Sequence, residues 1–239
     1  MNRSSVPGLT QRHRIRITRG VIALAVALAS SLANAAVGPL PGTGVSAAGA
    51  KLGGGEVDPH WLVVAGPGVA APSNAIVVNN QHPLGFYFTS PDSTWIWANA
   101  TATAVVGAPY TFDLSFDLTG YEASAASLNG LWGVDNTGSI LLNGAPAVGT
   151  GTLGLNSVST ATFNTPYSFS ITSGFVAGIN HLQFQVSDAG NPAALNVGGL
   201  SFTAAPVPEP SSAMLLVVGI SAVISLLRRR RPHRKVAEA

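Results

Sequence analysis

The stretch YTFDLSFDL, residues 110–118, sets Phe112, Leu114, Phe116 and Leu118 on one side of an extended chain and Asp113, Ser115 and Asp117 on the other. Successive side chains of a strand point to opposite faces, so this two-residue period reads as a β-strand with one side on a core and one in water. Shorter runs of the same kind recur at residues 61–64, 75–78, 86–89, 94–99, 139–142, 167–172, 181–186 and 195–203. Asn143-Gly144, Gly66-Pro67-Gly68 and Gly190-Asn191-Pro192 supply turns between them, because glycine and asparagine tolerate positive φ and proline fixes it. No stretch sustains an apolar recurrence at helical spacing across this region. Many short strands separated by turns imply an all-β domain, a sandwich or a barrel, over residues 57–203.

Charge narrows the functions open to that domain. The chain has 239 residues and a net charge of +2, but the basic residues are concentrated at its ends. Arg3, Arg12, Arg14, Arg16 and Arg19 precede the first apolar run, and Arg228, Arg229, Arg230, Arg231, Arg234 and Lys235 follow the last one. Between them Lys51 alone faces Glu56, Asp58, Asp92, Asp113, Asp117, Glu122, Asp135 and Asp188. Phosphate recognition needs a basic face, so nucleic acid is excluded as a partner. The absence of cysteine excludes disulfides, thiolate metal sites and cysteine nucleophiles.

The N-terminal end reads as a signal peptide over residues 1–35. A basic segment leads into the apolar run 21–32, and Ala33-Asn34-Ala35 supplies an A-x-A site with cleavage after Ala35. As a helix that run rises only about 18 Å, short of a bilayer's apolar layer. The secretion machinery and signal peptidase are the partners this implies. Residues 36–56, rich in Gly, Ala and Pro, read as a flexible lead-in.

At the other end, a linker over 204–212 carries Pro208, Glu209 and Pro210 and leads into an apolar stretch at 213–227, followed by Arg228, Arg229, Arg230 and Arg231 in a basic tail, 228–239. Each arginine costs roughly 3 kcal/mol at a bilayer's centre, so the cluster would stay in the cytoplasm and residues 57–203 would form an ectodomain. This ordered set resembles the PEP-CTERM sorting signal of Gram-negative bacteria that make extracellular polysaccharide. The resemblance implies a single transmembrane helix at 213–227, recognition by exosortase, and export across the inner membrane. Transient anchoring there would be followed by placement at the cell surface or in the extracellular matrix.

A second likeness lies within residues 110–203. Trp132, Asp135, Asn136, Ile140, Leu142, Asn143, Gly144, Phe169, Gly178, Asn180, Leu182 and Phe184 together resemble galactose-binding-like jelly rolls, in which a Leu-Asn-Gly strand end precedes a Gly-x-Asn-x-Leu turn. This implies a jelly-roll β-sandwich and says more of fold than of ligand.

Individual residues carry few chemical signals. Trp95 and Trp97, two apart, could stack sugar rings from one strand face or could pack in a core, which is the place expected for Trp61 and Trp132. Asp113 and Asp117 lie about 13 Å apart along a strand, too far for a glycosidase pair, and read as solvated sheet surface. Asp135, Asn136 and Ser139 offer oxygen atoms in a turn without the EF-hand order that calcium would require. His60, His82 and His181 are scattered and lack zinc spacing. There is no G-x-S-x-G elbow and no phosphate-binding glycine motif.

The sequence therefore assigns no catalytic residue, metal or cofactor. Its leading reading is a non-catalytic, exosortase-sorted protein of the biofilm or exopolysaccharide matrix, possessing a charge-poor surface suited to neutral hydrogen bonding with extracellular polysaccharide. The alternatives are a carbohydrate-binding module and, third, a secreted hydrolase.

Overall fold

Twelve strands form one antiparallel sheet in the computed structural model, which describes residues 39–80, 85–158, 161–207 and 210–229. These residues belong to one of the two units into which the chain divides, Asn34–Ala239. The strands are β1 (Val57–Ala65), β2 (Ser73–Val77), β3 (Ile96–Trp97), β4 (Pro109–Asp117), β5 (Ser127–Asp135), β6 (Thr137–Leu142), β7 (Ala145–Pro146), β8 (Val148–Gly151), β9 (Gly154–Leu155), β10 (Tyr167–Ser173), β11 (Ile179–Ser187) and β12 (Ala194–Thr203). Their spatial order is β7-β6-β11-β4-β1-β2-β3-β12-β5-β10-β8, with β9 paired to β6.

The two halves of this sheet face one another. Phe184 on β11 meets Trp132 on β5 with ring centroids 5.3 Å apart and Phe169 on β10 at 6.0 Å, while Phe116 on β4 meets Phe202 on β12 at 5.4 Å. Residues far apart in sheet order can touch in this way only if the sheet curls over its apolar side. The result is an all-β, near-barrel sheet consistent with a jelly roll.

The alternation in residues 110–118 appears as expected: Tyr110, Phe112, Leu114, Phe116 and Leu118 are all buried. Strand β5 is the largest element the sequence pattern hides. Its buried positions Leu128, Gly130, Trp132 and Val134 do alternate, but glycine removes the apolar mark at one of them. Gly130 is required there, because a Cβ would lie 2.7 Å from the Phe169 ring and 2.8 Å from Leu200. Residues 86–89, read from sequence as a strand, join no strand of the sheet. The Phe88 amide instead donates to Phe163 O at 3.0 Å, beside the short helix Ala161–Asn164.

Residues 39–56 differ from the flexible segment that their composition suggests. Thr43 is buried, its hydroxyl donating to Thr94 O at 2.7 Å and its amide to Val197 O at 2.8 Å. Val45 and Lys51 form a β-bridge. Sparse apolar content reads as a linker, yet buried polar contacts to Thr43 and to the Gly44 amide hold this segment on the sheet.

The C-terminal helix, Pro210–Arg229, opens at Pro210 and carries Arg228 and Arg229 in its last turn. Ser221 and Ser225 turn their hydroxyls back onto Val217 O and Ser221 O. Among the described residues no helix is long and apolar enough to cross a membrane. This corrects the transmembrane helix expected at 213–227. The partners and location built on that helix, exosortase, the inner membrane and an export route to the surface, are withdrawn with it. Pro208, Glu209, Arg230 and Arg231 lie outside the described residues, as do Ala33 and Ala35.

Asn180, at the start of β11, ties three segments together without any exposure. Its Oδ1 accepts from the Val176 amide at 2.9 Å and from Asn143 Nδ2 at 3.0 Å, and its Nδ2 donates to Val176 O at 2.7 Å and Gly178 O at 2.9 Å. Asn180→Ala would strand these buried groups and should lower the unfolding free energy by about 3 kcal/mol, read from the midpoint of urea denaturation.

Candidate functional site

Asp58 anchors the backbone beside a groove on the sheet. The residue is fully buried, and its Oδ2 accepts from the Gly44 amide at 2.6 Å while its Oδ1 accepts from the amides of His60 at 2.8 Å and Trp61 at 3.1 Å. Burial raises its pKa above the ordinary aspartate value, and those amides act in the opposite direction. Asp58 thereby docks the 39–49 segment on β1 and sets the backbone that carries His60. Between them opens a groove of about 690 Å³, lined in part by Leu40, Val45, His60, Asp92, Ser115 and Leu200. Asp92 accepts from the Gly199 amide at 2.8 Å and from the Ser90 hydroxyl at 2.7 Å. Lys51, the cation of this region, spends its ammonium on Ser90 O at 2.6 Å.

Ser115 leads from the groove to a second feature on the sheet's outer side. It stands opposite His181 in the β4–β11 register, and Asp113 stands opposite Gln183 on one flank and Leu62 on the other. His181 reaches diagonally to Asp113, with Nδ1 3.0 Å from Oδ2 and 3.2 Å from Oδ1. Diagonal neighbours on paired strands lie close enough for such contact. The Asp113 side chain is 5% exposed and that of His181 47%. A carboxylate can only accept, so Nδ1 holds a proton, and in the neutral ring Nε2 is left as the acceptor. That is the arrangement of a carboxylate-oriented general base.

Two expectations change here. Asp113 is not solvated sheet surface, although Asp117 is exposed and accepts from Thr119. Nor does the chain lack a group arranged for proton transfer, because Asp113 and His181 supply one; the reading of a protein with no catalytic potential is corrected.

The sugar-stacking role of Trp95 and Trp97 meets the same fate. They are 1% and 0% exposed, so neither offers a ring face. Trp95 packs on Tyr87 and Phe88, Trp97 on Tyr110 and Phe112, and their indole N–H groups donate inward to Phe88 O and Thr103 O. Trp61 and Trp132 are buried as well.

Asp135 and Asn136 enter a buried cluster that the sequence only half reveals. Tyr87 donates its hydroxyl to Asp135 Oδ2 at 2.6 Å, Asn136 Nδ2 donates to Asp135 Oδ1, and Asn136 Oδ1 accepts from the Ala189 amide at 2.8 Å. Ser139 lies further along β6, opposite Gln185. Asp188 completes the cluster from the far side, just beyond β11. Burial, reinforced by the Asp188 charge, pushes the Asp135 carboxyl up to about 6, against the pull of the Tyr87 and Asn136 hydrogen bonds. Burial and then Asp135 also raise the Tyr87 hydroxyl. Among the described residues no group of three or more His, Asp or Glu side chains is placed to hold a metal. His82 lies outside them.

Asp58, Asp92 and Asp188 carry no motif in the sequence. Asp188 alone leaves a local signal, an acid two residues past the alternating run 181–186, where a strand end usually meets solvent.

No family model matches the chain. No curated protein matches it either. Among solved structures, an exo-β-1,3-galactanase from Phanerochaete chrysosporium, crystallised with β-1,3-galactotriose, is similar at 12% identity with a TM-score of 0.24. The match covers 63% of this chain and 26% of that one, so the chain spans about a quarter of the galactanase. A likeness of this size carries no argument about fold or substrate. The resemblances to the PEP-CTERM signal and to galactose-binding-like domains gain no family match, and an exosortase-sorted matrix protein is not supported.

Asp135 supports a pH prediction. Its folded pKa stands above the unfolded value, so its neutral form contributes stability that is complete below the ordinary aspartate pKa and is lost as pH rises through about 6. Thermal melts in chelator-treated buffer should show this decline between pH 4.5 and 7, and Asp135→Asn should flatten it.

Proposed function

We propose that the chain is a carbohydrate-binding β-sheet module whose groove takes a neutral glycan. The observation behind this reading is the character of the groove: His60 and Ser115 offer neutral hydrogen-bonding groups, Asp92 is held by backbone, and Leu40 and Val45 give an apolar wall. Sugar hydroxyls pair with such groups, and the apolar faces of sugar rings suit such walls. Neither lysine nor arginine is among the described residues that line the groove, so an anionic polymer finds no fixed cation there. Affinity electrophoresis against soluble polysaccharides, followed by calorimetry on the best ligand, tests it. His60→Ala and the more obstructive Ser115→Leu should each weaken binding at least about tenfold, a loss of roughly 1.4 kcal/mol, with near-ultraviolet circular dichroism unchanged. Retention on no glycan, or affinity indifferent to both substitutions, would end this reading.

A second reading, glycan hydrolysis, is favoured by the Asp113–His181 pair beside Ser115. His181 would take the proton of the attacking water, the imidazolium so formed would return it to the departing sugar oxygen, and Asp113 would hold the ring. Release of reducing ends from a bound glycan should then fall by a factor of about 100 or more in His181→Ala. Binding without turnover would leave the module reading standing and remove this one.

A further inference from the structure

At the opposite end of β11 from His181, Asp188 presents a different problem. The residue is 1% exposed, and neither carboxylate oxygen has a hydrogen-bond partner. The amides of Ala189 and Gly190 lie close enough to favour its charge. The Ala189 amide is given to Asn136 Oδ1 instead, and neither amide reaches hydrogen-bonding geometry on the Asp188 carboxylate. Its charge is felt by Asp135 and by Tyr87 across the cluster. Asp135 is itself 4% exposed. Among the described residues no lysine, arginine or histidine is paired with either carboxylate. Two buried carboxylates in one cluster, one of them wholly unpartnered, are strongly unfavourable while both are charged, and either a proton or a cation relieves them.

We propose that Asp188 and Asp135 bind a divalent cation of the calcium class, with the Tyr87 hydroxyl and the Pro192 carbonyl as the neutral oxygens beside them. Tyr87 already bridges Asp135 and Pro192, at 2.6 and 3.2 Å, so these oxygens converge on one place. All are hard donors, which excludes a thiophilic metal. Calcium accepts irregular sets of carboxylate and carbonyl oxygens, whereas magnesium demands a near-octahedral shell and keeps its waters, which a buried site accommodates poorly. Two carboxylates and neutral oxygens place the affinity on the order of 10⁻⁴ M. Such an ion would pin the end of β5 to the loop after β11, a role separate from glycan binding in the groove.

The test uses the full chain stripped with chelator and titrated with calcium chloride alone. Calorimetry should find one site, and the melting temperature should rise with calcium. Asp188→Asn should abolish both responses, while Asp117→Asn, at an exposed carboxylate, should leave them intact. Should Asp188→Asn fail to fold, terbium decides in the wild type. Tyr87 and Trp95, with ring centroids 4.4 Å apart, would sensitise its emission, and calcium should displace it. The absence of both a calcium-dependent melting shift and displaceable terbium emission in the wild type would overturn the proposal, as would calcium binding unchanged in a folded Asp188→Asn.

Discussion

Phe184 is the contact on which the rest of the sheet depends. Its ring meets Trp61 on β1, Trp132 on β5 and Phe169 on β10, so one side chain from β11 touches both halves of a sheet that hydrogen bonds alone would leave open. Backbone pairing fixes neighbours but not curvature. Curvature comes from burying large rings on one side, and aromatic side chains remove the most apolar area for the fewest residues. With charged residues scarce, this ring cluster does the work that salt bridges and disulfides do in other domains.

Polar groups then decide how the edges of that core are finished. Asp58, Thr43 and Asn180 are buried without being hydrophobic, and each is saturated by nearby backbone or amide groups. Each anchors an irregular segment to a regular one: Asp58 and Thr43 hold the leading segment, and Asn180 holds the turn that delivers His181. Because a buried polar atom is costly when unmatched, such residues specify a unique loop conformation more sharply than apolar contacts can. Among the described residues Asp188 departs from this rule with both carboxylate oxygens unmatched, and Asn196 does so with its Nδ2.

How much of this the sequence discloses depends on whether the determining interaction is local. The alternation of 110–118 and 181–186 is a property of neighbouring residues, and β4 and β11 are legible from it. Glycine at position 130 blanks one step of the same alternation in β5, while the exposed run of β8 has none to show. The site was less legible. Asp113 and His181 are 68 residues apart, and only the register of β4 on β11 brings them together. The tryptophan pair leaves stacking and core packing both open for the converse reason: spacing of two gives a shared face, but whether that face meets water or core is settled by strands far away in sequence, and here it meets core. At the C-terminus, proline, apolar run and arginines made an ordered pattern whose reading rested on resemblance, and neither helix length nor any family match supports it.

The sheet ends at β7 and β8, and the character of those ends governs how copies of the chain behave toward each other. β7 is two residues long and includes Pro146, which has no amide to donate, and β8 is a short run with two glycines. A row of free backbone groups is a template for aggregation, and long apolar edges recruit strands from neighbouring molecules. Here an incoming strand would find almost no ladder to extend, so concentrated solutions of the protein should resist fibril growth even though about half of residues 57–203 lie in strands.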